Sequence, residues 1–452
     1  MATPLDNSSG TVRPLLRLAL PVLLEQLLVM LINYADTALA GQYLGKSELA
    51  AIGLMYYAVW LLQNVFSLVA IGSAALVARF VGSNDMKRAR RVTEQSLLAG
   101  AALSLVMIVL VALGARSFVE LMQLSGDSAE MAIEYLWIIA PVLPFMMLEV
   151  IIIACLRGAG DTVTGLLVMA VVVVINLAVS WSLVAGLGPF PALGWTGLAI
   201  GTATAHFTGG VLLLATVLRR RSVMRLSRWV FRADIQLMRR ILRTGVPGGI
   251  DILLITFCHL WYVSIINAIG ATEAAAHGIG VKIESLAYLP GFAFQIAAAT
   301  MVGQALGAKD SKQAERAVLT GVLTGGGVMT GAALLFFFVP GLLVGLFVSG
   351  DSNAEVITTT IPLLRIAAIS TPPLALLMIV GGALRGAGDT RVPLVLNLVG
   401  FLGVRIPAAY WLSYGLGWGL VGAWWAMVAD VVVRCALILL RYRHGGWKRM
   451  KV

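Results

Sequence analysis

One acidic residue in the first apolar segment of this chain has the setting of an ion-binding group. Asn33, Asp36 and Thr37 follow each other at i, i+3 and i+4, which places them on one face of a helix. A carboxylate in the middle of a lipid-facing helix costs roughly 2.5 to 3.5 kcal/mol on insertion scales. No basic residue lies near Asp36 on its segment, so we expect its face to point inward and to serve a function.

Neutral oxygens on two later apolar segments are suited to complete this site. Asn176 and Ser180 are four residues apart and therefore aligned on one helix face, and Thr202 lies on the next segment. One carboxylate that faces amide and hydroxyl oxygens can bind a proton or a small hard cation. We therefore predict an ion-coupling site formed by Asp36, Asn176, Ser180 and Thr202, with sodium possible at Asp36 and no other metal.

A second group of intramembrane charges lies in the other half of the chain. Lys282 and Glu284 are two residues apart and cannot face each other on one helix. Asp251 and Arg405 are the available partners for them. The four residues form either a buried polar network or part of a substrate cavity, and both interpretations stay open.

Other intramembrane charges have simpler or undecided interpretations. Asp430 and Arg434 are four residues apart, so we predict a structural ion pair on one helix. Glu25 and Glu149 could be hydrated residues at helix ends or cavity residues. His206, His259 and His277 lie on three different segments without metal-site spacing, so we interpret them as satisfied interior residues or minor cavity contacts.

The elements that position these residues must be membrane-spanning helices. Of 452 residues, 59% are hydrophobic and 12% are charged, and the mean hydropathy is +0.92, which is too apolar for a soluble fold. A segment of about 20 apolar residues crosses a membrane as a helix. We place twelve such spans at 14–42, 49–80, 92–113, 131–155, 163–184, 194–217, 244–269, 275–305, 316–339, 356–383, 392–413 and 420–440.

The distribution of basic residues orients these spans. Most of the 33 Lys and Arg residues fall on one side of the membrane if the N-terminus is cytoplasmic, while the opposite side receives only Lys46 and Arg116. Cytoplasmic loops collect such residues. We therefore predict a multi-pass protein of the inner (plasma) membrane with both termini in the cytoplasm. The net charge of +11 then reflects the orientation of the chain in the lipid bilayer and not binding to nucleic acid. We expect a monomer.

The two halves of the chain repeat each other. The heptapeptide Leu-Arg-Gly-Ala-Gly-Asp-Thr occurs at 156–162 and again at 384–390. Further matches join 82–91 to 307–316, 125–128 to 349–352, and 194–197 to 419–422.

This repetition indicates a doubled six-helix unit, whose copies enter the membrane in the same direction. We predict two pseudo-symmetric six-helix bundles with a cleft between them. The bundles are an N-terminal lobe at 1–218 and a C-terminal lobe at 244–452. A basic cytoplasmic linker at 219–243 joins them.

The heptapeptide is best interpreted as a tight turn. It lacks the preceding strand and the Gly-Lys-Ser/Thr of a phosphate-binding loop. Its glycines permit unusual backbone angles, and Asp161 or Asp389 can cap the helix that follows.

Several of these motifs resemble those of one transporter family. The run Leu289 to Gly307, the segment Lys282 to Leu286, Arg405-Ile-Pro407 and both heptapeptides resemble signatures of the multidrug and toxic compound extrusion (MATE) family. The resemblance covers essentially the whole chain. It implies a two-lobed antiporter of twelve helices that expels organic cations or other amphipathic compounds in exchange for entering protons or sodium ions.

The resemblance also bears on the ion site. MATE proteins carry an aspartate in their first helix, which matches Asp36. In part of the family an asparagine in the fifth helix is followed four residues later by an acidic residue. Here Asn176 is present, but Ser180 stands in place of the acid, so the residues leave both proton and sodium possible.

The function expected is transport and not catalysis. Binding of the ion at Asp36 would release an organic cation that the ionised carboxylate had attracted. Pro21 has two interpretations: it either bends the first helix or begins it. The competing interpretation is a flippase for a lipid-linked saccharide precursor, which would need a basic cavity. A membrane-embedded enzyme would need a catalytic cluster that the sequence lacks, and we expect no cofactor beyond the coupling ion.

Overall fold

The protein is built from α-helices. The computed structural model describes residues 10–219, 224, 226, 232–348 and 354–450, and β-strands are absent from these residues. The long helices follow from the apolar segments, whose Leu, Ala and Val residues bury their side chains while every interior backbone group is bonded within the helix.

Among the described residues, the first half of the chain contains eight α-helices, and a short 3₁₀ turn joins α5 to α6. They are α1 Val12–Tyr43, α2 Lys46–Val65, α3 Ser67–Gly82, α4 Met86–Leu121, α5 Asp127–Ile139, α6 Leu143–Gly158, α7 Val163–Ala185 and α8 Trp195–Leu218. The second half contains eight more among the described residues, and π-helical turns flank α15. They are α9 Ile235–Asn267, α10 Ala271–Gly307, α11 Ser311–Phe338, α12 Pro340–Gly345, α13 Ala354–Gly386, α14 Arg391–Leu398, α15 Ile406–Tyr410 and α16 Gly419–His444.

The number of membrane-crossing segments agrees with the sequence. In the described part of the chain, 11 helical segments are long and apolar enough to span a membrane, and the pair α2 and α3, bent by 44°, makes a twelfth. This confirms the predicted all-α polytopic fold. Predicted ends differ most for two helices: α9 begins at Ile235, inside the stretch 219–243 expected to be a linker, and α4 runs from Met86 to Leu121 where the span 92–113 was predicted. Most residues from 220 to 231, and the repeat copy at 349–352, lie outside the described residues.

The backbone repeats between the halves as the motifs do. Residues at matching places adopt the same left-handed conformation, which L-residues other than glycine rarely enter. The pairs and their φ angles are Asn84 (59°) with Lys309 (62°), Gly160 (89°) with Gly388 (87°), and Gly194 (55°) with Gly419 (54°). Asn84 and Lys309 share no side-chain chemistry, so the duplicated feature is the path of the backbone itself.

The two copies of the heptapeptide turn end differently. Asp161 caps the next helix as predicted, because it accepts hydrogen bonds from the Thr164 amide at 3.0 Å and the Thr164 hydroxyl at 2.7 Å. The expectation for Asp389 is wrong, since Asp389 accepts from Arg441 at 2.8 and 2.9 Å. Val392 stands where the first copy has Thr164, and a guanidinium is a stronger donor to a carboxylate than the hydroxyl that was lost.

The helices form two compact units, and two long helices are divided between them. The first unit contains Leu24–Gly249, and the second contains the chain from Ile250 onward together with the start of α1 up to Leu23. In the second unit, Leu15 and Leu18 of α1 belong to a core with Val302 and Ile379. The predicted lobe boundaries at 218 and 244 remain predictions about the organisation in the membrane.

Each division lies next to a proline. Pro21 lies inside α1 and Pro247 inside α9, three residues before Leu24 and Ile250 respectively. A proline within a helix removes one backbone hydrogen bond and favours a bend. The interpretation of Pro21 as a helix start is therefore wrong, because α1 begins at Val12.

The first turns of α9 pack against α3 through glycines. A methyl group on Gly72 would overlap the carbonyl oxygen of Ile241 and lie 2.8 Å from the Gly245 nitrogen. Both contacts are to backbone, which cannot move aside as a side chain does. We expect Gly72→Ala to lower the free energy of unfolding by about 1 to 3 kcal/mol through overpacking.

Thermal unfolding of the purified protein in detergent would measure this effect. Gly114→Ala on α4 is the matched control, because no atom lies within 4 Å of the added methyl group. There we expect no loss of stability, since alanine is favoured over glycine inside a helix. Equal melting temperatures for the two variants would contradict the close contact at Gly72.

Candidate functional site

The structure brings the predicted ion-coupling residues together inside the first unit. Asp36 of α1 has 7% of its surface exposed, and Asn176, Ser180 and Thr202 are buried. The side chains of Thr202 and Asn176 are the polar neighbours of the Asp36 carboxyl. The Asn176 amide donates to the Thr202 hydroxyl oxygen at 3.4 Å, so α1, α7 and α8 each contribute oxygen to one place.

Three oxygens at this place have no hydrogen-bond partner. They are Asp36 Oδ1, Asn176 Oδ1 and Ser180 Oγ, and all three are buried. A buried polar group without a partner costs about 1 to 3 kcal/mol. A proton on the carboxyl group, or a small cation among these oxygens, would remove that cost, which is the chemistry expected of a coupling site.

A glycine on α8 allows the close approach that places Ser180. A methyl group on Gly201 would overlap Ser180 Oγ and lie 2.9 Å from Ser180 Cα. Small residues at helix interfaces let membrane helices pack closely. Gly201 precedes Thr202, so the same turn of α8 provides both the room for Ser180 and the Thr202 hydroxyl.

Two residues expected on the Asp36 face do not join the site. The Asn33 amide donates to the Val29 carbonyl at 3.0 Å, and the Thr37 hydroxyl donates to the Asn33 carbonyl at 2.8 Å. Both side chains thus bond to their own helix, as polar residues inside membrane helices often do. Thr37 is exposed.

Sequence reasoning did not identify a buried acid and base pair close to this site. Glu149 of α6 and His206 of α8 lie 2.6 Å apart, Oε2 to Nδ1, and Glu25 of α1 accepts from Arg157 at 2.8 Å. The sequence does not decide whether Glu25 and Glu149 lie at helix ends or in a cavity, and the structure buries both. The spacing of Thr202 and His206, four residues apart on one helix face, was the signal that could have linked His206 to the site.

The second unit contains two carboxylates that are fully paired. Asp430 accepts from Arg405 at 2.7 and 2.8 Å and from Arg434 at 2.6 and 2.7 Å. The predicted ion pair of Asp430 and Arg434 is therefore confirmed. Phe401 adds to it, since both guanidinium groups lie over its ring at 4.6 and 4.4 Å, where cations are attracted.

The other carboxylate of this network is Asp251 of α9. It accepts from Arg385 at 2.7 Å and from the Asn397 amide at 2.6 Å. Arg434 donates to the Asn397 oxygen at 2.9 Å, which connects Asp251 to Asp430. The six side chains form one continuous network of the second unit.

Among the described residues, no hydrogen bond or ion pair joins Lys282 or Glu284 to the candidate partners Asp251 and Arg405. Lys282 is exposed and Glu284 is half-buried, and Glu284 is linked to Arg405 only through electrostatic interaction. Three arginines, Arg405 among them, and one asparagine reach the two aspartates from α13, α14, the following π-helical turns and α16. Their bonds satisfy both carboxylates, so no acceptor remains for Lys282.

No conventional metal centre accompanies these sites. Among the described residues, no group of three or more His, Cys, Asp or Glu side chains is placed to hold a metal ion. Any bound cation near Asp36 would therefore depend on neutral amide and hydroxyl oxygens, which suit sodium better than a transition metal.

A polytopic helical chain with a duplicated backbone and a buried carboxylate among neutral oxygens has the architecture of a membrane transporter. A family model described as MatE matches residues 21–182 and 247–411. The protein belongs to the MatE family, the multidrug and toxic compound extrusion transporters. The resemblance seen in the sequence is thereby confirmed, and the protein is a transporter and not an enzyme.

Similar proteins cover nearly the whole chain. A protein of Thermotoga maritima named probable multidrug resistance protein NorM is 27% identical over 440 residues, covering 97% of this chain and 94% of its own. The uncharacterized transporter YisQ of Bacillus subtilis is 26% identical over 446 residues, covering 99% and 97%. The multidrug resistance protein NorM of Burkholderia vietnamiensis is 28% identical over 437 residues, covering 94% and 92%.

Solved structures share the fold. A multidrug resistance MATE family transporter of the MOP superfamily in an outward-facing conformation matches with a TM-score of 0.90 at 20% identity, covering 98% of both chains. A MOP superfamily transporter from Pyrococcus furiosus, described as having a binding pocket of reverse polarity, matches with a TM-score of 0.90 at 21% identity and the same coverage.

Proposed function

We propose that this protein is a cation-coupled antiporter that exports organic cations, drugs or other amphipathic compounds by alternating access. The coupling ion, a proton or sodium, binds at Asp36. One observation carries the proposal: the Asp36 carboxylate is buried with Oδ1 unpartnered, beside Asn176 and Thr202. The multidrug resistance names of the relatives support the substrate class.

The chemistry of the exchange follows from one charge with two possible partners. An ionised Asp36 attracts a lipophilic cation, whereas a bound proton or sodium neutralises it and removes that attraction. Exchange requires that ion and substrate favour different conformations or compete for this charge. Asn176, Ser180 and Thr202 supply the oxygens that hold the ion.

The second unit has a different task in this proposal. Asp251 and Arg405 belong to a saturated network, so we assign them a structural role. Lys282 and Glu284, whose side chains neither of these two residues binds by a described hydrogen bond, remain the candidates for contact with substrate in that half.

The setting in the membrane completes the proposal. Both termini and the basic segment 219–243 lie in the cytoplasm, and the protein works as a monomer in the inner (plasma) membrane. The two lobes are assigned to 1–218 and 244–452. Among the described residues, no feature of the Asp36 site favours the flippase alternative, and the relatives named above are multidrug resistance proteins or an uncharacterized transporter.

Separate ion gradients across reconstituted vesicles test the coupling. The protein is placed in lipid vesicles, and the movement of ethidium is followed by fluorescence with a pH gradient, a sodium gradient or neither. We expect one gradient to raise the rate of ethidium transport several-fold above the rate without a gradient. The reason is that an ion can drive exchange only through its differential binding to the two states. Equal rates in all three conditions would contradict ion coupling.

A further inference from the structure

The Glu149 and His206 pair has features that a purely structural contact does not need. The two side chains are in hydrogen-bond contact at 2.6 Å, and both are largely buried, with 5% of the Glu149 side chain and 11% of the His206 side chain exposed. Histidine is the side chain whose ordinary proton affinity lies closest to neutral pH. The more accessible member of the pair is thus also the one suited to exchange protons.

Only one of the two carboxylate oxygens of Glu149 is used. Oε2 contacts His206, while Oε1 is buried without a hydrogen-bond partner. Gly209 of α8 provides the space for it, because a methyl group at that position would overlap Oε1. In the second unit, by contrast, Asp251 and Asp430 have each carboxylate oxygen bonded. Glu149 therefore lies in a site built with room beside its carboxyl group and without the donors that would lock its charge.

The pair lies beside the Asp36 site. His206 is one helical turn after Thr202 on the same face of α8, and Asp36 acts electrostatically on His206. A change of charge at either group is felt by the other, since charges interact strongly in a medium of low dielectric constant.

The charged groups around the pair are few and mostly paired. Glu25 of α1 acts on Glu149, and Arg157 binds Glu25. Tyr135 of α5 faces Asp36 and Thr202.

Of the other helices packed on α6 and α8, α3 has Arg79 as its one charged residue, and Glu134 of α5 accepts a hydrogen bond from α8. On α4, which packs on α6, Glu94 is paired with Arg91, and α7 has no acidic, basic or tyrosine side chain. Among the described charged groups that act on the pair, Asp36 is therefore the one whose carboxylate has an oxygen without a partner. Its charge can change with transport.

We propose that Glu149 and His206 form a second proton-binding site, distinct from Asp36, which makes the proton the coupling ion and links its release to the arrival of the organic cation. This inference rests on the proposed function, since a second proton site drives nothing unless Asp36 couples ion to substrate.

The proton can be followed through the pair. In the loaded state both nitrogens of the His206 ring carry protons, and Nδ1–H donates to Glu149 Oε2, so that imidazolium faces carboxylate. On release the proton leaves from Nε2, and the neutral ring still donates from Nδ1. An organic cation that neutralises Asp36 removes the negative charge that favours imidazolium, so substrate arrival expels the proton. No bond between heavy atoms changes in this cycle.

Nuclear magnetic resonance of the histidines tests the proposal directly. The chain has 4 histidines, so protein labelled with ¹⁵N-histidine gives a small set of ring signals in detergent micelles. The His206 signal is assigned with His206→Asn, or by removing the other three one at a time if that variant does not fold. His444 is exposed and serves as the internal control.

We expect the His206 ring to change from the imidazolium to the neutral form as the pH is raised, and ethidium to shift it toward the neutral form at fixed pH. The His444 signal should not respond to ethidium. Glu149→Gln should abolish the response of the His206 signal to ethidium.

A single form of His206 at every pH, with or without ethidium, would overturn the proposal. If sodium alone drives transport in vesicles while the protonation state of His206 does not change, the antiporter proposal stands and the proposed second proton-binding site is wrong. Transport that no gradient drives would instead defeat the proposed function.

Discussion

Asp36→Asn should abolish gradient-driven export while leaving the protein inserted and folded. The amide keeps the size and hydrogen-bonding capacity of the side chain but can neither ionise nor attract a cation. Coupling requires that the ion binds one state better than the other. Asp36 carries the only carboxylate among the residues of its site, so its removal should reduce coupled efflux to roughly a tenth or less of the parent rate.

Ethidium efflux from vesicles, with yield and gel-filtration profile as the measure of folding, would check this result. Asp127→Asn is the matched control, because Asp127 is an exposed aspartate in the first turn of α5 in the same unit. We expect it to transport at the parent rate. Undiminished gradient-driven efflux by Asp36→Asn would exclude Asp36 as the coupling residue.

Asp430→Ala should destabilise the protein strongly. The change leaves Arg405 and Arg434 largely buried, with 9% and 6% of their side chains exposed, and without the carboxylate that they share. Removing one partner of a buried ion pair costs about 3 to 5 kcal/mol, because an uncompensated charge stays in the interior. We therefore expect a marked fall in melting temperature and in the yield of folded protein.

The control for this effect is an ion pair at the surface. Arg116 and Glu130 lie 3.4 Å apart with 63% and 70% of their side chains exposed. Glu130→Ala should change the free energy of unfolding by less than about 1 kcal/mol, as exposed pairs do. Comparable melting temperatures for Asp430→Ala and Glu130→Ala would show that the network of the second unit does not stabilise the fold.

The features that depend on local sequence were predictable. Segment length and apolarity fixed the helices, because a bilayer of known thickness demands about 20 apolar residues per crossing. The pair Asp430 and Arg434 follows from the spacing of four residues along one helix. The convergence of Asp36, Asn176 and Thr202 was expected because a lone carboxylate must face inward and the aligned polar residues of neighbouring segments must face it.

The pairings between helices were not predictable in the same way. Which arginine reaches Asp251 depends on the rotation and height of α13 and α14, and neither is encoded in residue spacing. The π-helical turns after α14 further change the direction of Arg405 relative to a regular helix. The contact between Glu149 and His206 joins residues 57 positions apart, so only the packing of α6 against α8 reveals it.

The division of α1 and α9 between the two units suggests how the chain arose. Leu24 and Ile250, where the units divide, are equivalent residues 226 positions apart, as are Pro21 and Pro247. Each half therefore resembles a protomer of a domain-swapped homodimer, in which the beginning of the first helix belongs to the compact unit of the other protomer. Gene fusion would have made that exchange permanent, and either half made alone would lack a piece of its own core.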